Sequence, residues 1–347
     1  MIWLRWLLFP FTILYMIIIW TRNRLYDHHI LKSKSFDFPT IVIGNLAIGG
    51  TGKSPMTEFL IRLLKDKHTL ATLSRGYGRK TNGFRYVSES SSAEEVGDEP
   101  LQFKRKFPTV TVSVSEDRCF GIEQLKATHD IILLDDAFQH RKLQPSFSIL
   151  LFDYRSIDKL PLLLPTGNYR DMMMESHRAD VLIVTKSPAE IRPDERSNIE
   201  KRLRKHNQTA PIYFTHIQYN TGIDAKGRLF TGDLSDTDVL LITGIANPAP
   251  LIQYLSPLVN RLVHMPFADH HTFSSLDIQK IEEMYKGITN TKKIFLTTEK
   301  DFQRLDYTPL HQYPFYYIPI EIGFEEGCQH IFETKIFDHI NEYIPSK

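Results

Sequence analysis

The sequence predicts an α/β fold in which helices cover both faces of a mostly parallel sheet. Short, nearly continuous apolar runs rich in β-branched residues recur along the chain, and stretches of helical length separate several of them. A glycine-rich loop at residues 47–54 joins the first run to the first of these helices. Continuous apolar strands are typical of parallel sheets buried on both faces, and their alternation with helices implies right-handed crossovers.

The N-terminal segment differs from the rest of the chain. Residues 1–20 carry Arg5 as their only charge, and basic residues follow at positions 22, 24, 32 and 34. About 20 apolar residues suffice for a membrane helix, and aromatic ends with a basic flank fit an anchor whose following domain is cytoplasmic. Pro10 predicts a kink, which leaves open whether the segment spans the bilayer or lies in its interface. A packed terminal helix is the alternative.

The predicted elements then follow in order along the chain. In the first part we expect strands at Thr40–Gly44, Thr69–Leu73, Thr109–Val114, Ile131–Asp135, Ser148–Asp153 and Val181–Thr185, with helices at Met56–Lys67 and Arg118–Ala127. After a ribbon-like stretch with polar turns, strands are expected at Val239–Gly244, Arg261–Pro266, Lys293–Thr297 and Phe315–Ile320. The predicted organisation is a membrane-associated helix at 1–35, a core domain at 36–215, a β-ribbon linker at 216–235 and a smaller α/β domain at 236–347.

Composition excludes several classes of protein. The 347 residues carry a formal net charge of +1, so no global basic field favours nucleic acid as the main partner. The two cysteines are far apart and lack zinc-site spacing, which argues against a disulfide framework and suits a reducing compartment.

The loop at 47–54 has the features of a phosphate-binding P-loop, and it predicts a P-loop NTPase-like core. The first glycine of the pattern is replaced by Ala47, but the strand–loop–helix context is kept. Glycines let backbone N–H groups turn toward phosphate oxygens, the lysine reaches the β- and γ-phosphates, and the serine hydroxyl suits Mg²⁺. The predicted nucleotide-binding residues are Gly49, Gly50, Thr51, Gly52, Lys53 and Ser54.

A hydrophobic strand ending in Asp135 and Asp136 delivers two carboxylates in the manner of a Walker B acid. Adjacent strand residues face opposite ways, so one carboxylate is expected to serve the metal and the other to orient a loop. The predicted metal ligands are Ser54, Asp135 and Asp136. His140 follows, either as part of the cleft wall or as a structural histidine.

Two further stretches carry candidate functional residues. Asp98 lies in a Gly-Asp-Glu-Pro turn that opens a predicted helix, where capping is the alternative role. In the second domain His270 and His271 follow Asp269, and histidine is the side chain best suited to accept a proton near neutral pH. Zinc ligation there is disfavoured, because no further ligands have suitable spacing.

An ordered set of motifs resembles the tetraacyldisaccharide 4'-kinase family. The motifs are Gly44-Asn45-Leu46, Gly49–Ser54, Leu73–Arg79, Gly97–Pro100, Asp135–His140, Leu163–Arg170, Gly244–Pro248, Asp269-His270 and Thr298–Asp301. They extend from the N-terminal segment almost to the C-terminus. The chain departs from the family pattern at Ala137 and in the run at 167–170.

This resemblance implies ATP-dependent phosphorylation of the 4'-hydroxyl of a disaccharide lipid A precursor, at the cytoplasmic face of the inner membrane, with ATP and Mg²⁺ as cofactors. Asp98 and His270 match the dyad that removes the hydroxyl proton, and His271 is the alternative base. Arg118 and Arg170 match positions that steady phosphate charge, beside Lys53 and Asp136. The implied partners are the lipid precursor and the membrane, with no obligate protein partner.

The competing interpretation is a P-loop GTPase or metallochaperone-like switch, in which hydrolysis changes binding partners. Such a protein needs a guanine-reading Asn/Thr-Lys-x-Asp element. Thr185-Lys186-Ser187-Pro188 lacks the aspartate, and Thr298–Asp301 lacks the spacing. A membrane-tethered scaffold with a degenerate nucleotide site is disfavoured by the presence of Lys53, Ser54 and Asp135.

Overall fold

The computed structural model describes residues 5–269, 271–306 and 308–344. Two compact units are present: residues 1–217 with 322–347, and residues 218–321. The strands are β1 Thr40–Asn45, β2 Leu70–Ser74, β3 Arg85–Tyr86, β4 Thr111–Val114, β5 Ile131–Asp135, β6 Phe147–Asp153, β7 Val181–Thr185, β8 Ile212–Tyr219, β9 Ile223–Asp224, β10 Asp238–Thr243, β11 Arg261–Pro266, β12 Lys293–Thr298, β13 Phe315–Ile318 and β14 Ile320–Phe324. The α-helices are α1 Phe9–Asp27, α2 Lys53–Leu64, α3 Ala93–Val96, α4 Asp98–Lys106, α5 Arg118–Leu125, α6 Pro193–Arg204, α7 Ala249–Leu255, α8 Ser275–Lys286, α9 Glu299–Phe302 and α10 Cys328–Tyr343.

The first unit is built on a nine-stranded sheet in the order β14-β8-β7-β6-β1-β5-β2-β4-β3. Strand β1 lies between β5 and β6 and is parallel to both. Alternate residues of β1 belong to two different apolar clusters, Ile41 and Ile43 to one and Val42 to the other. The predicted mostly parallel sheet, buried on both faces, is therefore confirmed.

The second unit holds a five-stranded sheet in the order β11-β10-β12-β13-β9. Strands β10, β11, β12 and β13 are parallel, and the short β9 is antiparallel to β13. Apolar clusters again cover both faces, one around Leu240 and Phe295 and the other around Val239 and Leu241. The predicted second, smaller α/β domain is present.

The division of the chain differs from the predicted one at the C-terminus. Residues 322–347 belong to the first unit, not to the second. The reason is packing: Phe332, Ile336 and Ile340 on α10 are fully buried in the same cluster as Ile41 and Leu60. At the other boundary, the second unit begins at residue 218, within the predicted linker at 216–235, and residues 212–214 of β8 pair in parallel with β7.

Helix α1 has its polar and apolar faces reversed relative to an ordinary surface helix. Its buried side chains are Thr12 and Asn23, whereas large apolar side chains are exposed along it. Among these are Leu8, Phe9, Phe11, Ile13, Leu14, Met16, Ile17, Ile18 and Trp20. Pro10 lies in the first turn of this helix, where the proline N–H is not needed. Within the residues described, no helix has the length and hydropathy needed to cross a bilayer.

Candidate active site

The phosphate loop connects the carboxyl end of β1 to the first turn of α2. Gly49 and Gly52 adopt φ angles of 108° and 87°, in the left-handed region that glycine enters without steric cost. Gly44 is required for another reason: a Cβ atom there would lie 2.5 Å from the Cβ of Phe138. The chain therefore brings the loop, the helix N-terminus and the 136–140 segment close together, as an anion site requires.

Asn45 fixes the shape of this loop from beneath. Its side chain is fully buried, and its amide nitrogen donates to the carbonyl oxygen of Ala47 and to the hydroxyl of Thr51, each at 2.7 Å. These bonds explain why an alanine suffices at position 47, where the general pattern has glycine. The loop is held by a side chain that lies outside the eight-residue motif.

A distant segment, residues 168–170, forms the neighbouring wall. The amide of Ile48 donates to the carbonyl of Asn168 at 2.7 Å, and Ala47 forms an isolated bridge with Tyr169. The guanidinium of Arg170 then donates to the side-chain oxygen of Asn45 at 2.6 Å. Helix α1 supports this wall, because the Tyr15 hydroxyl donates to the carbonyl of Arg170 at 2.9 Å.

Asp136 lies between two cations. Arg170 donates to both of its carboxylate oxygens, and the ammonium of Lys53 lies 3.8 Å from Oδ1. Burial raises the pKa of Asp136, but the Arg170 hydrogen bonds and the Lys53 charge outweigh it, so that the pKa lies below its usual range. Asp136 is thus ionised and aligns the two cations expected at the nucleotide phosphates.

Asp135 has different partners from Asp136 and belongs to a cluster of oxygen ligands. Burial, with the nearby charges of Glu99 and Asp136, raises the pKa of Asp135 to about 8. Thr57 donates to Asp135 at 3.3 Å, and the Ser54 hydroxyl donates to Glu99 at 2.9 Å. Carboxylates and hydroxyls are the ligands that Mg²⁺ prefers, and a divalent cation would relieve the repulsion between these acids. The residues therefore fit a magnesium ion.

The structure adds residues that the sequence did not single out. Glu99 is brought to Ser54, whereas the sequence pointed to its neighbour Asp98. At the end of β7, the Thr185 hydroxyl donates to the carbonyl of Thr51 at 2.8 Å, and the Lys186 ammonium donates to the carbonyl of Gly50. The sequence could have indicated these two residues, because they lie at the end of an apolar strand. The carboxyl ends of parallel strands such as β6 and β7 lie at the same sheet edge as the loop.

Arg118 and Gln139 connect the strand ends around the loop. Arg118 is 4% exposed and donates to the carbonyls of Ser115, Glu116 and Asp136 at 3.2, 3.1 and 3.4 Å. Burial lowers its pKa to about 10, which still leaves it charged at neutral pH. Gln139 donates to the carbonyl of Asn45 at 2.6 Å. The predicted contact of Arg118 with phosphate stays a prediction.

Comparison with known proteins decides the family. The family model described as Tetraacyldisaccharide-1-P 4'-kinase matches residues 4–337. The chain is 43% identical to the tetraacyldisaccharide 4'-kinase of Flavobacterium johnsoniae, over 98% of both chains, and 41% identical to that of Bacteroides thetaiotaomicron, over 97% and 93%. It is similar to the crystal structure of LpxK from Aquifex aeolicus in complex with ATP, with a TM-score of 0.75 and 30% identity over 97% and 99% of the two chains.

The chain belongs to the tetraacyldisaccharide 4'-kinase family. The predicted family, enzyme class and P-loop fold are confirmed, and the nucleotide-switch alternative loses its support.

The second half of the predicted base dyad falls on a position that cannot be described. His270 lies outside the described residues, and Asp98, the first residue of α4, is exposed. The neighbouring His271 is described: its Nε2 atom is 3.0 Å from Asp277 Oδ2, and its ring packs against Phe267 and Phe273. In this member of the kinase family His271 therefore has a local structural role.

The family motif at 298–301 is held by contacts within the second unit. Asp301 is fully buried, and its Oδ2 atom accepts hydrogen bonds from the amide of Gly244 at 2.8 Å and from the Thr298 hydroxyl at 2.7 Å. This carboxylate therefore fastens the loop that follows β10 to the start of α9.

Proposed function

We propose that this protein transfers the γ-phosphoryl group of ATP to the 4'-hydroxyl of a tetraacyldisaccharide 1-phosphate, a lipid A precursor, at the cytoplasmic face of the inner membrane. The observation that carries the proposal is the near full-length family match together with the Lys53–Asp136–Arg170 arrangement beside a glycine loop. Two cations aligned by one partly buried carboxylate suit a reaction in which negative charge spreads over a transferring phosphoryl group.

The reaction needs little covalent participation from the protein. Backbone N–H groups of the loop and the Lys53 ammonium would bind the ATP phosphates, with Arg170 steadying the γ-phosphoryl oxygens. The acceptor oxygen forms a bond to phosphorus as the bond from phosphorus to the bridging oxygen of ADP breaks. The main contribution of the chain is therefore to position donor and acceptor in line.

We propose Asp98 and His270 as the pair that takes the hydroxyl proton. In this role the imidazole accepts the proton, and the carboxylate orients the ring and stabilises the imidazolium. The bond between His271 and Asp277 supports His270 over His271 as the base, because His271 already has a carboxylate partner.

We propose that Ser54 and Asp135 would bind Mg²⁺. The sequence predicts Asp136 as the third ligand. The proximity of Glu99 to Ser54 makes Glu99 a further candidate. When bound, the ion would neutralise charge on the β- and γ-phosphates. Because Asp136 is engaged by Arg170 and Lys53, we propose that it acts mainly by orienting them.

The direct test incubates the detergent-solubilised protein with labelled ATP, Mg²⁺ and a lipid A disaccharide 1-phosphate precursor. We expect the label in the lipid, with ATP preferred over GTP. An unlabelled lipid together with a preference for GTP would contradict the kinase proposal and favour the nucleotide-switch interpretation.

The base is tested by comparing His270→Ala with His271→Ala. We expect His270→Ala and Asp98→Ala to lower kcat far more than they raise KM, because the base acts in the transition state. His271→Ala should mainly lower the melting temperature, since it removes a partner of Asp277. A full kcat in His270→Ala with a large loss in His271→Ala would assign the base to His271 instead.

We propose that α1 lies in the membrane interface through its exposed apolar face. The opposite, polar face is already occupied: the Thr12 hydroxyl donates to Thr166 at 2.7 Å, and the Asn23 amide donates to Asp171 at 2.9 Å. A continuous row of exposed aliphatic and aromatic side chains is unfavourable in water and marks a site of membrane or partner contact. The acyl chains of the proposed substrate support the membrane as this partner.

Membrane association is tested by flotation with anionic liposomes. The double substitution Leu14→Glu with Ile18→Glu changes two side chains that are 57% and 54% exposed on α1, and we expect at least about a tenfold loss of bound protein. Ile331→Glu is the matched control, since Ile331 is 59% exposed on α10. If both variants bound as much as the wild type, the proposal that α1 lies in the membrane interface would be wrong.

A further inference from the structure

A cluster of three metal-ligating side chains lies beside the nucleotide loop and has no part in the mechanism proposed above. Its members are Asp117, Cys119 and His140, and one ligand atom from each lies within 4.8 Å of the other two. Asp117 caps α5, Cys119 lies in its first turn, and His140 comes from the segment after β5. Two separate parts of the first unit thus bring a carboxylate, a thiol and an imidazole to one point.

We propose that these three residues form a binding site for a thiophilic divalent cation of the zinc type. The donor set of one sulfur, one imidazole nitrogen and one carboxylate oxygen is typical of Zn²⁺ and unlike the all-oxygen set that suits Mg²⁺. Ligands of a tetrahedral zinc ion lie roughly 3.3–3.8 Å apart, given bond lengths of about 2.0–2.3 Å. Closing the cluster therefore takes movements of no more than about 1.5 Å, within the reach of side-chain rotation.

The state of each ligand favours this assignment. The Nε2 atom of His140 is buried without a hydrogen-bond partner. Burial lowers the pKa of this imidazole to about 4, so it is neutral, as a metal ligand must be. The Cys119 thiol makes only a long contact, 3.5 Å, to the carbonyl of Lys142, and it is half-buried. An ion would satisfy the imidazole and replace a weak sulfur contact.

Two lysines near the site have acidic partners, and one of these partners is the proposed ligand Asp117. Lys142 is 3.6 Å from Asp117, and Lys34 is bonded to Glu123. Metal binding would release the Cys119 thiol proton, because the thiolate is the ligand. An ion held here would tie the turn carrying Arg118 to the segment that carries Gln139.

The position of the site separates it from the predicted magnesium cluster. Its ligands come from the start of α5 and from position 140, whereas the proposed magnesium ligands are Ser54, Asp135 and Asp136, with Glu99 as a further candidate. No residue is shared between the two sets. The cation site stands whether or not the proposed kinase reaction is correct, because it rests only on the placement of its own ligands.

The experiment titrates the purified full chain with Co²⁺ in the presence of millimolar Mg²⁺, which saturates oxygen-only sites. We expect one equivalent of Co²⁺ to give a thiolate-to-cobalt charge-transfer band and visible d–d bands, and Zn²⁺ to displace it. Cys119→Ser should abolish the charge-transfer band, and His140→Gln should weaken binding at least about tenfold. Zn²⁺ should also raise the melting temperature of the wild type but not of Cys119→Ser.

Cys328→Ser is the matched control, because Cys328 is the only other cysteine and is also partly buried. It should bind Co²⁺ as the wild type does. The proposal fails if the wild type shows no charge-transfer band, if Cys119→Ser retains it, or if Cys328→Ser loses it. Circular dichroism of Cys119→Ser checks that its fold is intact, and His140→Gln provides a second variant that keeps both cysteines.

Discussion

The carboxyl edges of the two parallel sheets carry similar polar residues and use them differently. In the first unit, Lys53, Asp136 and Arg170 come from three elements and concentrate charge beside a glycine loop. In the second unit, Asp301 accepts hydrogen bonds from Gly244 and Thr298, and His271 pairs with Asp277, so these groups hold segments of that unit together. Parallel topology places polar residues at such edges in both cases. Catalytic potential arises where distant elements supply mutually dependent charges around an open loop.

The largest effect on activity is expected when the loop lysine, Lys53, is removed. Lys53→Ala should lower kcat by about 10²–10³-fold, because one preorganised donor to a developing anion contributes about 2.7–4 kcal/mol. The measurement is phosphate transfer from labelled ATP. Lys292→Ala in the second unit is the control, since Lys292 pairs with Asp236 on the surface, and we expect activity within about twofold. A similar loss in both variants would contradict the comparison.

The second prediction concerns the pH dependence of stability without Mg²⁺. The pKa of Asp135 is raised to about 8 by burial and by Glu99 and Asp136, above its ordinary value of 3.8. The folded state therefore holds a proton that the unfolded state has lost, and stability falls as pH rises from about 4 to about 8. Asp135→Asn should be more heat-stable than wild type at pH 8, with a smaller difference at pH 5.

Melting curves at both pH values, with and without Mg²⁺, check this prediction. Mg²⁺ should raise the melting temperature of the wild type more than that of Asp135→Asn, because the ion binds the folded state through the carboxylate. Thr57→Val is the control, because it removes the hydroxyl that donates to Asp135 but leaves the Asp135 carboxyl group in place. A wild type that is more stable than Asp135→Asn at pH 8 without Mg²⁺ would contradict the explanation that burial and the charges of Glu99 and Asp136 raise the pKa of Asp135.

The third prediction tests the structural role of the second edge. Asp301→Ala should destabilise the second unit by about 2–3 kcal/mol, since it leaves the buried amide of Gly244 and the Thr298 hydroxyl without their acceptor. Amide hydrogen exchange of residues 238–301 reports this locally. Asp301→Asn should cost less because one side-chain oxygen remains. If amide hydrogen exchange in Asp301→Ala were the same as in the wild type, the structural role given to Asp301 would be wrong.

The smallest expected effect is at a helix end in the same unit. The Ser274 hydroxyl accepts from the amide of Asp277 at 3.3 Å and caps α8. Ser274→Ala should therefore cost about 1 kcal/mol, the usual value for loss of an N-cap. Thermal melting measures the shift, and Ser274→Asp is the matched variant that should restore most of it. A neutral Ser274→Ala would show that the capping box contributes nothing at this site.

The sequence predicted the parts of this protein that depend on local pattern. Strands such as Ile131–Asp135 and Val181–Thr185 were correct to the residue, because continuous β-branched runs have few other uses. The phosphate loop was also recognisable, since glycines and a lysine at fixed spacing have a direct mechanical meaning. The apolar N-terminal segment was visible by composition alone.

Tertiary structure decided everything that depends on contacts between distant segments. The support of Ala47 by Asn45, the arrival of Arg170 from more than a hundred residues away and the pairing of Ser54 with Glu99 leave no mark in local spacing. The return of α10 to the first unit follows from where its apolar face is buried. The orientation of α1, with polar side chains inward, likewise required knowledge of its partners Thr166 and Asp171. Local pattern determines which elements form, whereas burial and long-range hydrogen bonds determine which of them meet.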